Sequence, residues 1–198
     1  MVIDYLDSHY SSPQYTMKMI ATLEKSNDKF DVLFIDDHSE DGSVETLRAL
    51  GYAVIPKLKA SGLTDSWNLG YSHFLKYNYE TLFLANNDVL IPDGAIGAMQ
   101  TLLEFYPFMA PSTTLVGAGH NPGQSYVKLE RKFIDLGSFV TSAEVIRKSG
   151  ATFLPNGLAT EELFARDWFF VDKVQKYLQE NQRQEQISLI HKVLYSHQ

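Results

Sequence analysis

The stretch that constrains this chain most is 81–91, Thr-Leu-Phe-Leu-Ala-Asn-Asn-Asp-Val-Leu-Ile. Its apolar run (Leu82, Phe83, Leu84) predicts a buried strand, and the run stops abruptly at Asn86-Asn87-Asp88. A dry strand cannot continue through two amides and a carboxylate without strong pairing, because burying an unpaired charge is very costly. The polar triplet is therefore expected at the strand's carboxyl end, the edge at which open α/β sheets bind ligands. An Asn-x-Asp triplet there offers oxygen ligands to a hard divalent cation that also holds phosphates. A plain Asx-rich turn is the alternative, and on these residues alone it is favoured, since Asn and Asp prefer turns unaided.

A second strand end repeats the pattern. Residues 30–35 are expected as a second strand, partly β-branched and apolar without a break from Val32 to Ile35, that leads into Asp36-Asp37-His38-Ser39-Glu40-Asp41-Gly42-Ser43. A helix is expected over 44–50, and Ser39, Asp41 or Ser43 can cap it. Two adjacent carboxylates are more than a cap requires, and a carboxylate can accept the imide N–H of a pyrimidine base. Asp36 is read as an exposed turn acid whose removal leaves the fold intact. A third strand is expected over 51–56, then a helix from residue 64 or 65 with Trp67, Tyr71 and Phe74 on one stripe. Asn68 and Gly70 are placed on the first turns of that helix, where exposed N–H groups can face a phosphate. Close helix packing is the competing reason for Gly70. With a first strand at 2–6, a helix at 15–26 and another from Pro92-Asp93-Gly94 to about 105, the alternation predicts a parallel, doubly wound sheet.

The second half reads differently. Strands are expected at 113–117, 125–133 and 138–141, with a flexible stretch at 117–123. A helix follows at 142–149, opened by Ser142, then a longer helix at 164–180 and a closing strand at 187–195. No repeat or linker divides the chain, so one domain over 1–198 is expected. At 198 residues with 44% hydrophobic content, the chain can bury a substantial core. Its formal charge of −7 argues against a nucleic-acid surface. The absence of cysteine excludes disulfides, thiolate zinc sites and cysteine nucleophiles. No apolar run approaches the roughly 20 residues that span a bilayer, and no signal-peptide pattern opens the chain. A cytoplasmic location, with peripheral contact at the inner face of a membrane, is the expectation.

Three motifs in register carry a resemblance. The run 32–43 (Val-Leu-Phe-Ile-Asp-Asp-His-Ser-Glu-Asp-Gly-Ser) resembles the strand and Asp-Asp-x-Ser-x-Asp-Gly-Ser signature of family 2 glycosyltransferases. Residues 62–70 resemble that family's Gly…Asn-x-Gly segment. Residues 82–89 resemble the strand ending in its metal-binding Asp-x-Asp motif, in the Asn-x-Asp form of rhamnosyltransferase-like members. The resemblance covers about residues 1–105 and implies the GT-A fold. That is a mostly parallel α/β sheet binding a nucleotide sugar (1–105), with a smaller, mixed-strand acceptor and catalytic half (106–198). It implies that Asp36 holds the base, with Asp37 beside it, and that Asn68, Gly70 and Asn87 belong to the nucleotide pocket. Asn86 and Asp88 match the pair that approaches the metal, Mg²⁺ or Mn²⁺, and the diphosphate. Asp167 matches the catalytic base of the Glu-Asp-x-Asp helix start, and His197 the late histidine that completes some metal sites, with His191 as its rival.

The implied activity is inverting, metal-assisted transfer of a hexosyl unit. The donor would be a UDP- or dTDP-linked sugar, and the acceptor a hydroxyl of a saccharide or lipid-linked molecule, in polysaccharide biosynthesis. The chain departs from the pattern at Asn86, an amide in place of the first metal acid, and at Arg166, which replaces the acid before the base. The first strand ends in Leu6-Asp7-Ser8 rather than Tyr-Asn or Thr-Asn. Two other readings stand beside this one. A sugar nucleotidyltransferase would carry a Gly-rich basic loop after the first strand, and none is visible. A non-catalytic nucleotide- or saccharide-binding domain of the same fold would accommodate both substitutions.

Overall fold

The computed structural model describes residues 2–4, 13–105, 108–113, 138–153, 165–182 and 187–197. For 2–4, 108–113, 138–140, 165–168 and 187–197 it describes the backbone alone. The expected strand at 125–133 and the stretch at 117–123 lie outside these residues, as do most of 113–117.

Strands β1 (Val2–Asp4), β2 (Leu33–Asp36), β3 (Ala53–Pro56) and β4 (Thr81–Asn86) pair parallel in the order β3-β2-β1-β4. Helices α1 (Pro13–Leu23), α2 (Ser43–Ala49) and α3 (Leu63–Lys76) connect them. Past β4 come β5 (Val89–Leu90), α4 (Ala95–Leu102), β6 (Phe108–Thr113), β7 (Ser138–Ser142), α5 (Ala143–Ser149), α6 (Ala165–Glu180) and β8 (Ile187–His197). β7 joins β4 antiparallel, β6 joins β7 antiparallel, β8 runs parallel to β6, and β5 closes on β8. The eight strands form one mixed sheet in the order β3-β2-β1-β4-β7-β6-β8-β5.

Alternation along the central strands builds a core on each face. Leu33, Ile35, Leu82 and Leu84 face α3, α5 and α6, in a cluster with Trp67, Phe153 and Phe170. Phe34, Phe83 and Ala85 face α1 and α4, among Met19, Ile20, Ile96 and Met99. A strand with both faces dry must be apolar throughout, which is why its first polar residues mark its end. Each large apolar side chain buried here contributes about 1.5–3 kcal/mol. The stripe Trp67, Tyr71 and Phe74 is buried as its spacing predicts.

Two boundaries differ from expectation. Pro13 opens α1, two residues before the expected start at 15; at the first helical position its missing N–H has no partner to lose. β6 occupies 108–113 rather than 113–117 although it contains Pro111. The ladder with β8 shifts register between Pro111 and Ser112, and at such a bulge a proline interrupts little pairing.

Candidate active site

The carboxyl ends of β2, β1 and β4 lie side by side. Asp4 of β1 is level with Ile35 of β2 on one side and Asn86 of β4 on the other. Asp36 and Asn86 thus end strands two places apart, roughly 10 Å at ordinary sheet spacing. Asp36 is 1% exposed, which corrects the reading of it as an exposed turn acid. It is still a sheet residue, level with Pro56 of β3. Its Oδ2 accepts the Ser39 N–H at 3.1 Å, while its Oδ1 is buried and accepts no hydrogen bond among the described residues. A buried acceptor left without a donor is uncommon enough to require a reason.

Asp37 has a different situation. It accepts the N–H groups of Ser61 and Gly62 at 2.8 Å each and forms an ion pair with the Lys57 ammonium. Lys57 also donates to the Gly62 carbonyl at 3.1 Å and to Ser66 Oγ at 2.7 Å, so its three protons have three acceptors. Gly62 reaches both partners with φ 87, ψ 176, a conformation that side chains rarely adopt. This node closes the loop after β3 onto the turn after β2. Three of the roughly four acceptor sites of the Asp37 carboxylate are thus spent on the node.

Asn68 and Asn87 are also engaged. Asn68 Nδ2 donates to the Phe153 carbonyl at 2.8 Å, and its Oδ1 accepts the Phe153 N–H at 2.9 Å. Asn87, 2% exposed, donates to Thr16 Oγ1 at 2.9 Å and so pins α1 beneath the β4 turn. Gly70 is buried in the second turn of α3. The helix starts at Leu63, earlier than expected, and the Ser66 N–H already donates to the Gly62 carbonyl at 3.2 Å, so the N–H groups without an intrahelical acceptor are those of 63–65. The N–H groups of Asn68 and Gly70 therefore lie past the helix's open end, which corrects their placement as phosphate-facing donors.

Asn86 Oδ1 is buried and accepts no hydrogen bond. A desolvated amide oxygen without a donor, two residues from a carboxylate, is a fitting ligand for a hard divalent cation. Among the described residues no cluster of three His, Cys, Asp or Glu side chains is assembled. The ladder between β5 and β8 does bring in a third residue: His197 pairs with Val89, immediately after Asp88. His191, by contrast, falls in the stretch where β8 shifts register against β6. Asp167 occupies the first turn of α6, where the helix macrodipole favours a carboxylate. For Asp167 and His197 only the backbone is described, and Glu161 and Glu162 lie outside the described residues.

A cleft of about 470 Å³ lies at the other end of the strands, lined by Leu33, Ala53 and Thr81 at the amino ends of β2, β3 and β4. Tyr52 and Tyr79 also line it. Burial and then Glu24 hold the Tyr52 hydroxyl above its usual pKa, and a hydrogen bond to Asp31 does the same for Tyr79. It is remote from the strand ends at which sheets of this type take ligands. Lys57 and Phe153 were not singled out from sequence; a lysine after a short strand carries no local signal, and Phe153 is 85 residues from Asn68.

The chain belongs to glycosyl transferase family 2, whose family model matches residues 9–154. The α/β fold is that of the GT-A glycosyltransferases. The structure resembles the S. aureus TarS 1–349 crystal structure at 14% identity with a TM-score of 0.72, covering 99% of this chain and 59% of that one. It resembles the same TarS portion in complex with UDP-GlcNAc at 15% identity and TM-score 0.73, covering 98% and 56%. It also resembles the mannosyltransferase PcManGT from Pyrobaculum calidifontis in complex with GDP-Man and Mn²⁺, at 12% identity and TM-score 0.58, covering 77% and 46%. The chain thus spans little more than half the length of the TarS portion and less than half of PcManGT. No curated protein matches the sequence.

Proposed function

We propose that this chain is an inverting glycosyltransferase that moves a hexosyl unit from a UDP- or dTDP-linked sugar to a hydroxyl of a saccharide or lipid-linked acceptor. The observation that carries the reading is the pair of buried, donorless oxygens, Asp36 Oδ1 and Asn86 Oδ1, at the carboxyl ends of β2 and β4. Family membership and the TarS and PcManGT complexes support it. In this reading Asp36 accepts the imide N–H of the base. Asp37 with Lys57 and Asn87 with Thr16 form the walls of the nucleotide pocket, and the α3 turns carrying Asn68 and Gly70 back those walls, with the Asn68 carboxamide turned to Phe153. Asn86, Asp88 and His197 would hold Mg²⁺ or Mn²⁺, which supplies charge neutralisation for the departing diphosphate. The Asn-x-Asp form favours a rhamnosyltransferase-like member, working at the cytoplasmic face of a membrane in polysaccharide biosynthesis. No helix among the described residues is long and apolar enough to cross a membrane. Residues 1–105 then form the nucleotide-sugar half and 106–198 the acceptor half of a single domain.

Chemically, Asp167 takes the proton of the acceptor hydroxyl as that oxygen attacks the anomeric carbon. The carbon–oxygen bond to the diphosphate breaks on the opposite side, which inverts the centre. The test is Asp167→Asn, in a transfer assay over several nucleotide sugars and saccharide acceptors. An asparagine near a helix start replaces a capping aspartate with little loss, but it cannot accept the proton. Transfer should fall on the order of 10²–10⁴-fold with nucleotide affinity unchanged. Near wild-type transfer in Asp167→Asn would move the base elsewhere, with Glu161 and Glu162 the next candidates.

A further inference from the structure

We infer that Asn68 is a positioning residue: through Phe153 it fixes α6, the helix that carries the proposed base, against the nucleotide half. This deepens the function proposed above and rests on Asp167 being the base. Both ends of one carboxamide are spent on one residue, with Nδ2 on the Phe153 carbonyl at 2.8 Å and Oδ1 on its N–H at 2.9 Å. That is the pairing a neighbouring strand would give, supplied by a side chain. Both groups belong to a residue 1% exposed, where backbone groups are rarely left unpaired.

The ring of the same residue continues the connection. Phe153 packs 4.9 Å from Trp67, the neighbour of Asn68, and stacks on Phe170 of α6 at 4.4 Å with the rings 7° from parallel. Tyr71, one turn further along α3, meets Phe170 edge-on at 6.4 Å. Residues 67 and 68 of α3 therefore hold Phe153 by ring and backbone, and both Phe153 and Tyr71 pack on Phe170. Phe170 stands three residues after Asp167, within one helical turn. Asn68 also sits in the helix that follows the Lys57–Asp37 node, so this link joins the strand ends to the base.

The discriminating variant is Asn68→Asp, which keeps an acceptor for the Phe153 N–H but sets a second acceptor against its carbonyl. Nucleotide affinity by calorimetry, transfer kinetics and hydrogen exchange along α6 are to be measured together. The expected result is nucleotide affinity within about twofold of wild type and kcat reduced on the order of 10²-fold, the loss a small misplacement of a catalytic group produces. Amides of 170–178 should exchange faster, with those of α1 and α2 unchanged. Asn68→Gln, which retains both groups on a longer arm, should lie between. In the wild-type protein the Phe153 amide should be strongly protected, and rapid exchange there would overturn the clamp without any variant. Reduced nucleotide affinity with unaltered exchange in α6 would also overturn it, since Asn68 would then be a ligand contact. The exchange measurements read the clamp whichever residue is the base, so its failure is separable from that of Asp167.

Discussion

Replacing Asp36 by asparagine separates its proposed part in binding from its part in folding. Asp36 Oδ2 accepts the Ser39 N–H at 3.1 Å, and Oδ1 is buried without a donor. Asparagine keeps a carbonyl oxygen for Ser39 and places an NH₂ where Oδ1 was. A base imide N–H would then meet a donor instead of an acceptor. A hydrogen bond to a charged group contributes about 1.5–3 kcal/mol, so losing it should weaken nucleotide binding roughly 10- to 150-fold. Stability should change little, because a buried oxygen without a donor is exchanged for a buried NH₂ without an acceptor, each costing about 1–3 kcal/mol. Asp36→Ala should weaken binding equally but also destabilise by about 1 kcal/mol or more, since the Ser39 N–H loses its acceptor. Calorimetry with UDP and dTDP reads the first quantity and urea denaturation the second. Wild-type nucleotide affinity in Asp36→Asn would refute the reasoning, whatever the stability.

Further outcomes follow from neighbouring geometry. Mn²⁺ should raise nucleotide affinity in the wild type but not in Asp88→Ala, and Asn86→Asp should tighten Mn²⁺ by adding a carboxylate ligand; nucleotide binding indifferent to EDTA would count against the metal site. Gly97→Ala should lower Tm although alanine is normally about 1 kcal/mol better in a helix. Its Cβ would lie 2.7 Å from Asp28 Oδ1, displacing the carboxylate whose Oδ2 accepts the Ile96 N–H at 3.1 Å. In an Asp28→Ala background the same change should stabilise. Burial raises the Tyr71 hydroxyl to about 12, so the unfolded chain, ionising near pH 10, loses that proton first. Stability present below about pH 10 should therefore fall as pH rises toward 12, and Tyr71→Phe should flatten the loss in alkaline denaturation curves.

The place of the candidate site was legible because a buried strand must be apolar, so the first polar residues after 33–35 and 82–85 mark the carboxyl ends of β2 and β4. Residue type alone could not tell which polar groups remain available there. Asp36 and Asp37 are adjacent acids, yet one has an oxygen with no donor among the described residues and the other has both oxygens engaged by Lys57, Ser61 and Gly62. That difference depends on a loop 24 residues away. The choice between His191 and His197 was equally opaque, because strand register and not spacing sets His197 opposite Val89.

The central claim is that a nucleotide sugar lies across the carboxyl ends of β2, β1 and β4. A crystal structure of the chain with UDP and Mn²⁺ tests it most directly. The base imide is predicted within hydrogen-bonding distance of Asp36 Oδ1, with the diphosphate and Mn²⁺ beside Asn86 and Asp88. A nucleotide seated in the cleft at the amino ends of the strands, between Tyr52 and Tyr79, would contradict the account.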